Sequence, residues 1–315
     1  MSGVRKQVLQ ILPGLLFLVL ISLISGILMP RFVRLLPSSL LLAIPTAFLG
    51  FAESLVMIAG EVDLSLTGSL VLINAISISA YTDYHINEFL FVVIPLVTGL
   101  IIGAIHGLLV AFGRLNSFLV TAGTSFAWSG LALVILRQPR GKVPLWFNEV
   151  FSIGKVLGVP LAVLFIVIAA LFWLLFSVSP LALKSYAVGS SPKATFSFGI
   201  DVNRIKFYAF VLNGFLVGIA GLIMTGIIGS GDPRLGGFST VLAVLAALIG
   251  GATFAGGTGN GLGAFLAAIG LQFTRNLIAW VGVAHYHLDL FYGAALLVLI
   301  AGIAYLRRSR EIGME

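Results

Sequence analysis

Charge is what this chain has least of: Asp, Glu, Lys and Arg make up 9% of its 315 residues, while 59% are hydrophobic. A soluble domain coats its exterior with roughly a quarter charged residues, so this shortage excludes a surface that faces only water. Cysteine is absent, which excludes disulfides, zinc–thiolate sites and thiol catalysis but leaves the compartment open. No G-x-x-x-x-G-K-[ST] loop occurs, so the chain has no phosphate cradle of that kind, and an ATPase acting with it has to be a separate chain. The metallopeptidase HExxH, the nucleophile elbow GxSxG and paired Glu-x-x-His are also missing, which leaves an enzyme without support. The basic residues are scattered and form no stripe with interleaved aromatics, so the net charge of +7 points to anionic lipid headgroups and not to nucleic acid.

What the chain does contain is apolar runs of bilayer length. They lie at about 7–29, 36–59, 65–80, 89–112, 115–136, 156–177, 207–228, 238–256, 261–282 and 288–306, which predicts an all-α polytopic membrane protein of about ten transmembrane helices in one domain, 1–315. The first run follows Arg5 and Lys6 and lacks the small-residue cleavage pattern of a signal peptide, so it is read as a retained span. With the amino terminus inside, the inner segments hold ten Lys or Arg residues and the outer ones seven. That bias, with the cluster Arg307, Arg308 and Arg310 after the last run, places both termini and the 307–315 tail on the cytoplasmic side of an inner membrane.

Two connections exceed turn length. The outer one, 137–155, carries Trp146 and Phe147 among cations, an amphipathic edge for the headgroup level or another protein. The inner one, 178–206, is long enough to be functional. Gly99, Gly103 and Gly107 form two GxxxG steps and Gly214 with Gly218 another, a spacing that lets membrane helices approach closely with or without a mechanical role.

Polar residues inside apolar runs are the candidates for a pathway. Gly60-Glu61-Val62-Asp63-Leu64-Ser65 breaks two runs with two acids and no nearby cation; either Glu61, Asp63 and Ser65 face a pathway, or Asp63 or Ser65 caps the next helix, and both can hold together. Gln272, Arg275 and Asn276 share one span, where an inward polar stripe, with Glu53 as a conceivable partner of Arg275, competes with snorkelling of Arg275 to the outer interface. His285 and His287 lack a convergent third ligand, so no metal site is expected; His106 falls mid-span and can line a polar cavity.

Five segments, in order, resemble the permeases of ribose-type sugar ABC importers. AGEVDLSLTGS resembles G-G-I-D-L-S-V-G-S, matching at Gly60, Asp63, Leu64, Ser65 and Ser69 with one insertion. NSFLVTAGTSFAWSGLAL resembles P-F-I-V-T-L-G-T, and YAVGSSPKATFSFGIDVNRIK resembles the inner A-x-G-x-x-x-x-A-x-x-x-G-I-x-V-x-x loop. ALIGGATFAGGTGNGLGAFL and RNLIAWVGV resemble the G-G-T-x-x-x-G-G-x-G-x-x-x-G segment and the N-x-L-x-x-x-G-V close. The run 240–246 departs from the pattern, because it lacks the acid of the family's E-L-D-A-I-A-A. That absence leaves the solute open, and a carrier of a signalling furanose such as autoinducer-2, or one member of a heterodimeric permease, fits it.

The resemblance implies a type II ABC importer permease with no cofactor in this chain, ATP and Mg being bound by partner subunits. It implies a second permease subunit, two cytoplasmic ATPases and an extracytoplasmic solute-binding protein as partners, and a monosaccharide or similar small polar solute as cargo. It also implies that the inner loop forms a short coupling helix, carried over to Ala187, Gly189, Ala194, Gly199, Ile200 and Val202. Ser190 lies in the same stretch, Pro192 can start a helix, and Lys193 and Arg204 can pair with acids on a partner. The rival from another class is a stand-alone secondary transporter or channel, whose coupling carboxylates would have to be Glu53 or the Glu61 and Asp63 pair.

Overall fold

The computed structural model describes the backbone of residues 3–235, 237, 239–283 and 285–312, and most side chains between residues 10 and 302. The side chains of Arg5, Lys6, His285, Arg307, Arg308 and Arg310, and residues 313–315, lie outside the described residues.

Each of the ten apolar runs contains a helix: α1 (Gly3–Leu28), α2 (Phe32–Ile58), α3 (Leu66–Asp83), α4 (Glu88–Gly107), α5 (Ser117–Ile135), α7 (Leu161–Ser177), α10 (Val202–Ile228), α11 (Ser239–Ile249), α12 (Gly261–Trp280) and α13 (His285–Ile312). A π-helical turn, Leu108–Phe112, extends α4. Helix is the expected state, because a single apolar segment in lipid satisfies its own backbone only that way. The starts are fixed by side chains that accept an amide of the first turn: Asn87 from Leu90, Asn116 from Leu119, Asp201 from Arg204 and Asn260 from Gly263. Each such cap contributes about 1 kcal/mol.

Among the described residues, six helices are long and apolar enough to cross a membrane, seven if α7 is counted with the helix that follows it. The expected run at 238–256 does not form one span. Its helix α11 has 11 residues, about 16 Å at 1.5 Å per residue against a hydrocarbon core of about 30 Å. Helix α3 has the length, at 18 residues, but is less apolar than these six, with Asn74, Ser77 and Ser79 buried among its neighbours.

Helix α2 is the central post, buried from Ala43 to Ile58. Phe48 and Phe51 on it make edge-to-face contacts with Phe265 of α12 at 5.3 Å and with Phe172 of α7 at 5.5 Å, a geometry that adds about 0.5–1.5 kcal/mol per pair beyond burial. The two GxxxG series meet each other: a Cβ on Gly99 would lie 2.2 Å from the Gly214 carbonyl oxygen, and one on Gly214 would lie 2.2 Å from that of Gly99. Their spacing therefore brings α4 and α10 into backbone contact.

The two long connections are structured. The one at 137–155 holds α6 (Leu145–Ile153) and leads into a two-stranded hairpin, β1 (Lys155–Val156) and β2 (Val159–Pro160). Phe147 of α6 packs 5.3 Å from Phe91, while Leu145 and Trp146 stay exposed. The 178–206 connection holds two helices where one was expected, α8 (Pro180–Ser190) and α9 (Pro192–Ser197). Ser179 and Ser191 cap them with Pro in the first position, and α8 turns away from α7 by 74°.

Candidate translocation site and inner segment

Helix α2 ends at the acidic break, where Gly60 takes φ +84° and the chain runs unwound to Leu66. An unwound stretch among membrane helices leaves amides bare, each costing about 1–3 kcal/mol if unmet. Here five consecutive amides have partners. Glu61 donates to the Val56 carbonyl at 3.1 Å, Val62 to Ser117 Oγ at 3.4 Å and Asp63 to both Glu53 carboxylate oxygens at 3.3 Å. Leu64 donates to Thr121 Oγ1 at 2.9 Å and Ser65 to Asp63 Oδ1 at 2.8 Å. Asp63 thus closes a turn, and Ser65, at the N-cap of α3, makes no cap bond with its side chain. Its Oγ lies 3.1 Å from Ser69 Oγ.

Above Asp63 stands His106 of α4, fully buried, its Nδ1 3.8 Å from Asp63 Oδ2. Its Nε2 lies 2.8 Å from Thr124 Oγ1, and Trp128 Nε1 reaches the same nitrogen at 3.4 Å. Among the described residues Nδ1 has no hydrogen-bond partner. Ser117, Thr121, Thr124 and Trp128 all belong to α5, so the second resembling segment supplies the side chains that hold the first. Glu61 leaves the cluster and pairs with Lys206 of α10. The cluster therefore gathers acids, hydroxyls, an imidazole and an indole, groups suited to hydrogen-bonding a small polar solute.

The expected outer group is elsewhere. Gln272 Nε2 donates to Asn276 Oδ1 at 3.2 Å, and Asn276 Nδ2 donates to Ser39 Oγ at 3.0 Å. Arg275 is exposed while Glu53 is fully buried, so the two form no pair. Ser39 and the end of α2 are 19 residues apart, roughly 28 Å along the helix, which puts the 272–276 group and the 61–65 group at opposite ends of α2. Between those levels Asn74 of α3 holds the connection after α10, donating to Thr225 Oγ1 at 2.9 Å and the Ser230 carbonyl at 3.2 Å and accepting from the Asp232 amide at 2.9 Å. Thr240, in the run that lacks the family's acid, pairs with Thr67 Oγ1 at 2.8 Å. At the last residue of α3, the Asp83 carboxylate accepts from two nitrogens of Arg140 at 2.6 and 2.7 Å.

In the 178–206 segment the expected residues divide into three sets by burial. Gly189 is buried: a Cβ there would lie 2.0 Å from the Ile58 carbonyl oxygen and 2.3 Å from the Gly257 nitrogen. Ser190, Pro192, Lys193, Ala194 and Gly199 are exposed, and Ala187, Ile200 and Val202 are half-buried. Gly199 has φ +78° with nothing near a Cβ. Arg204 pairs with Asp201 of its own helix, Nε to Oδ2 at 3.0 Å. Sequence reasoning passed over three apolar residues on the open side, Leu183, Phe196 and Phe198, which are 75%, 72% and 84% exposed. Thr121, Thr124, Asn74 and Lys206 were likewise not singled out, and Glu53 and His106 stood out as a partner of Arg275 and as a cavity-lining residue, not as neighbours of Asp63; for Thr121 and Thr124 the resembling segment itself was the available signal.

Residues 35–301 match the family model described as branched-chain amino acid transport system / permease component. Among curated proteins, the chain is 31% identical over 248 residues to the ribose import permease protein RbsC of Escherichia coli K12, covering 76% of each chain. It is 28% identical over 265 residues to the ribose import permease protein of Haemophilus influenzae, covering 82% of this chain and 80% of that one. With the autoinducer 2 import system permease protein LsrD of an Enterobacter species it shares 29% over 257 residues, covering 79% of this chain and 78% of the relative. No solved structure matches it. A polytopic helical chain with its breaks held by the segments that carry the resemblance, matched by the family model over most of its length, belongs to the branched-chain amino acid transport system / permease component family.

Proposed function

We propose that the chain, as a single transmembrane domain, is one half of an import pathway, paired with a second permease subunit and served by two ATPases and an extracytoplasmic binding protein. The cargo is a monosaccharide or a similarly small polar solute, as the printed names of the relatives indicate for those proteins. In this reading α3, α7, α11 and α13 complete a ten-helix permease, α11 as a partial crossing. The described residues contain no group of three or more metal-ligating side chains, and the chemical work comes from ATP and Mg on the partner subunits.

One observation carries the reading. Helix α8 turns from α7 by 74° and, with α9, offers Leu183, Phe196 and Phe198 outward in the same segment as the exposed Lys184 and Lys193. An apolar patch with a cationic rim on a water-facing loop marks a protein-docking surface. A stand-alone carrier has no use for it. The segment would face the cytoplasm, where ATP is, with both termini on that side. In proteoliposomes holding the chain with its ATPase and binding protein, ribose being the first solute tried and autoinducer-2 and allose the next, uptake is expected only when ATP is supplied to the face that carries α8 and α9. Uptake by the purified chain alone, without ATP, would favour the stand-alone carrier.

A further inference from the structure

Helix α8 touches two loops with its backbone. On one side lies the break after α2: a Cβ on Gly189 would meet the Ile58 carbonyl, and one on Gly60 would lie 3.4 Å from Gly189 Cα. On the other side lies the glycine loop 250–260 between α11 and α12, where Gly256 and Gly257 take φ +78° and +71°. A Cβ on Gly256 would lie 2.6 Å from Gly60 Cα and 2.9 Å from Gly189 Cα. The loops are also bonded to each other, Gly257 N–H donating to the Ile58 carbonyl at 3.0 Å. The remaining tie is a side chain: Tyr186 Oη of α8 donates to the Gly259 carbonyl at 2.7 Å, next to Asn260, which caps α12.

Backbone packed on backbone leaves no rotatable side chain to absorb a displacement, and close-packed interiors transmit strain. The first break leads within three residues to Asp63 and His106, and the glycine loop leads directly into α12. We propose that Tyr186 and Gly189 are positioning residues that make the glycine loop and the acidic break move with α8 as one body, so that one displacement of α8 reaches two broken helices together. The proposal rests on α8 and α9 being the segment that docks the ATPase. Gly189 supplies contact with both loops, and the Tyr186 hydroxyl holds the glycine loop to α8. Removing the hydroxyl loosens that loop while the first break still follows.

The chain has no cysteine, so spin labels placed on introduced cysteines are specific. In the complete complex, one pair, Lys184→Cys with Thr258→Cys, reports α8 against the glycine loop, and a second, Lys184→Cys with Leu115→Cys, reports α8 against the bundle. All four wild-type distances are read by pulsed electron resonance without nucleotide and after trapping with ATP and vanadate. The expected result is a changed distance for the second pair and one unchanged distance for the first. Adding Tyr186→Phe is expected to split the first pair into two populations, the untied one gaining roughly fivefold, the size of one neutral hydrogen bond. A first-pair distance that already changes in the parent as much as in the variant overturns the proposal, as does a variant identical to its parent. No change in the second pair removes the docking reading instead, and the proposal with it. A merely structural Tyr186 would lower the melting temperature of the variant and leave the first-pair distance single, which also overturns it.

Discussion

Two interruptions in this bundle solve the same problem by opposite means. The break at 60–65 carries two acids and has its amides met by side chains, from Glu53, Asp63, Ser117 and Thr121. The loop at 250–260 carries no charge and is built from glycines that take positive φ and pack against other backbone. A side-chain solution ties up buried polar groups on the chain's own amides, and a backbone solution leaves contacts with no side chain to give way. In the proposed reading the acidic break serves recognition and the glycine loop serves transmission.

The largest expected effect comes from filling the glycine contact. Gly189→Val puts side-chain atoms inside the Ile58 carbonyl contact, and neither backbone can yield, so a loss of about 3 kcal/mol or more is expected. It is read as a melting temperature well below that of the parent in detergent, together with lost ATP-driven uptake. Gly199→Ala, in open space, is expected to cost about 1 kcal/mol for the positive φ alone. Equal melting of the two variants would break the contrast between packed and open glycines. An intermediate effect is expected at the acidic break. Asp63→Ala bares the Ser65 amide, a loss of about 1–3 kcal/mol, and removes the carboxylate beside His106, so solute uptake falls by more than the lost stability explains. Uptake in proportion to folded protein would reduce the cluster to a turn.

Much of the helical layout was legible, because apolar runs of bilayer length leave the backbone few alternatives. The starts of α4, α5, α10 and α12 were readable from Asn87, Asn116, Asp201 and Asn260, since capping is local chemistry. Ser179-Pro180 carried the same signal for α8, which was read as loop for want of an apolar face. The run 238–256 misled for a physical reason: it is apolar through glycine as much as through leucine, and Gly250, Gly251, Gly256 and Gly257 make a loop there and not a helix. At the candidate site Asp63, Glu53 and His106 each stood out in sequence, but not their meeting, nor the residues that hold the break around them. Thr121 meets Leu64 across 57 residues and Lys206 meets Glu61 across 145, and no local pattern encodes contacts of that separation. Arg275 and Glu53 looked like partners only because both interrupt apolar runs, and α2 and α12 place them apart.

The central claim, that α8 and α9 form a surface grasped by an energy-supplying subunit, is tested most directly by copurification. Phe196→Asp with Phe198→Asp places two charges on side chains that touch no core, so the chain is expected to insert and elute as the parent does while losing at least ~tenfold of its bound ATPase, since truncating an interface anchor costs ≥ 2 kcal/mol. Full retention of the ATPase by this double variant would contradict the account.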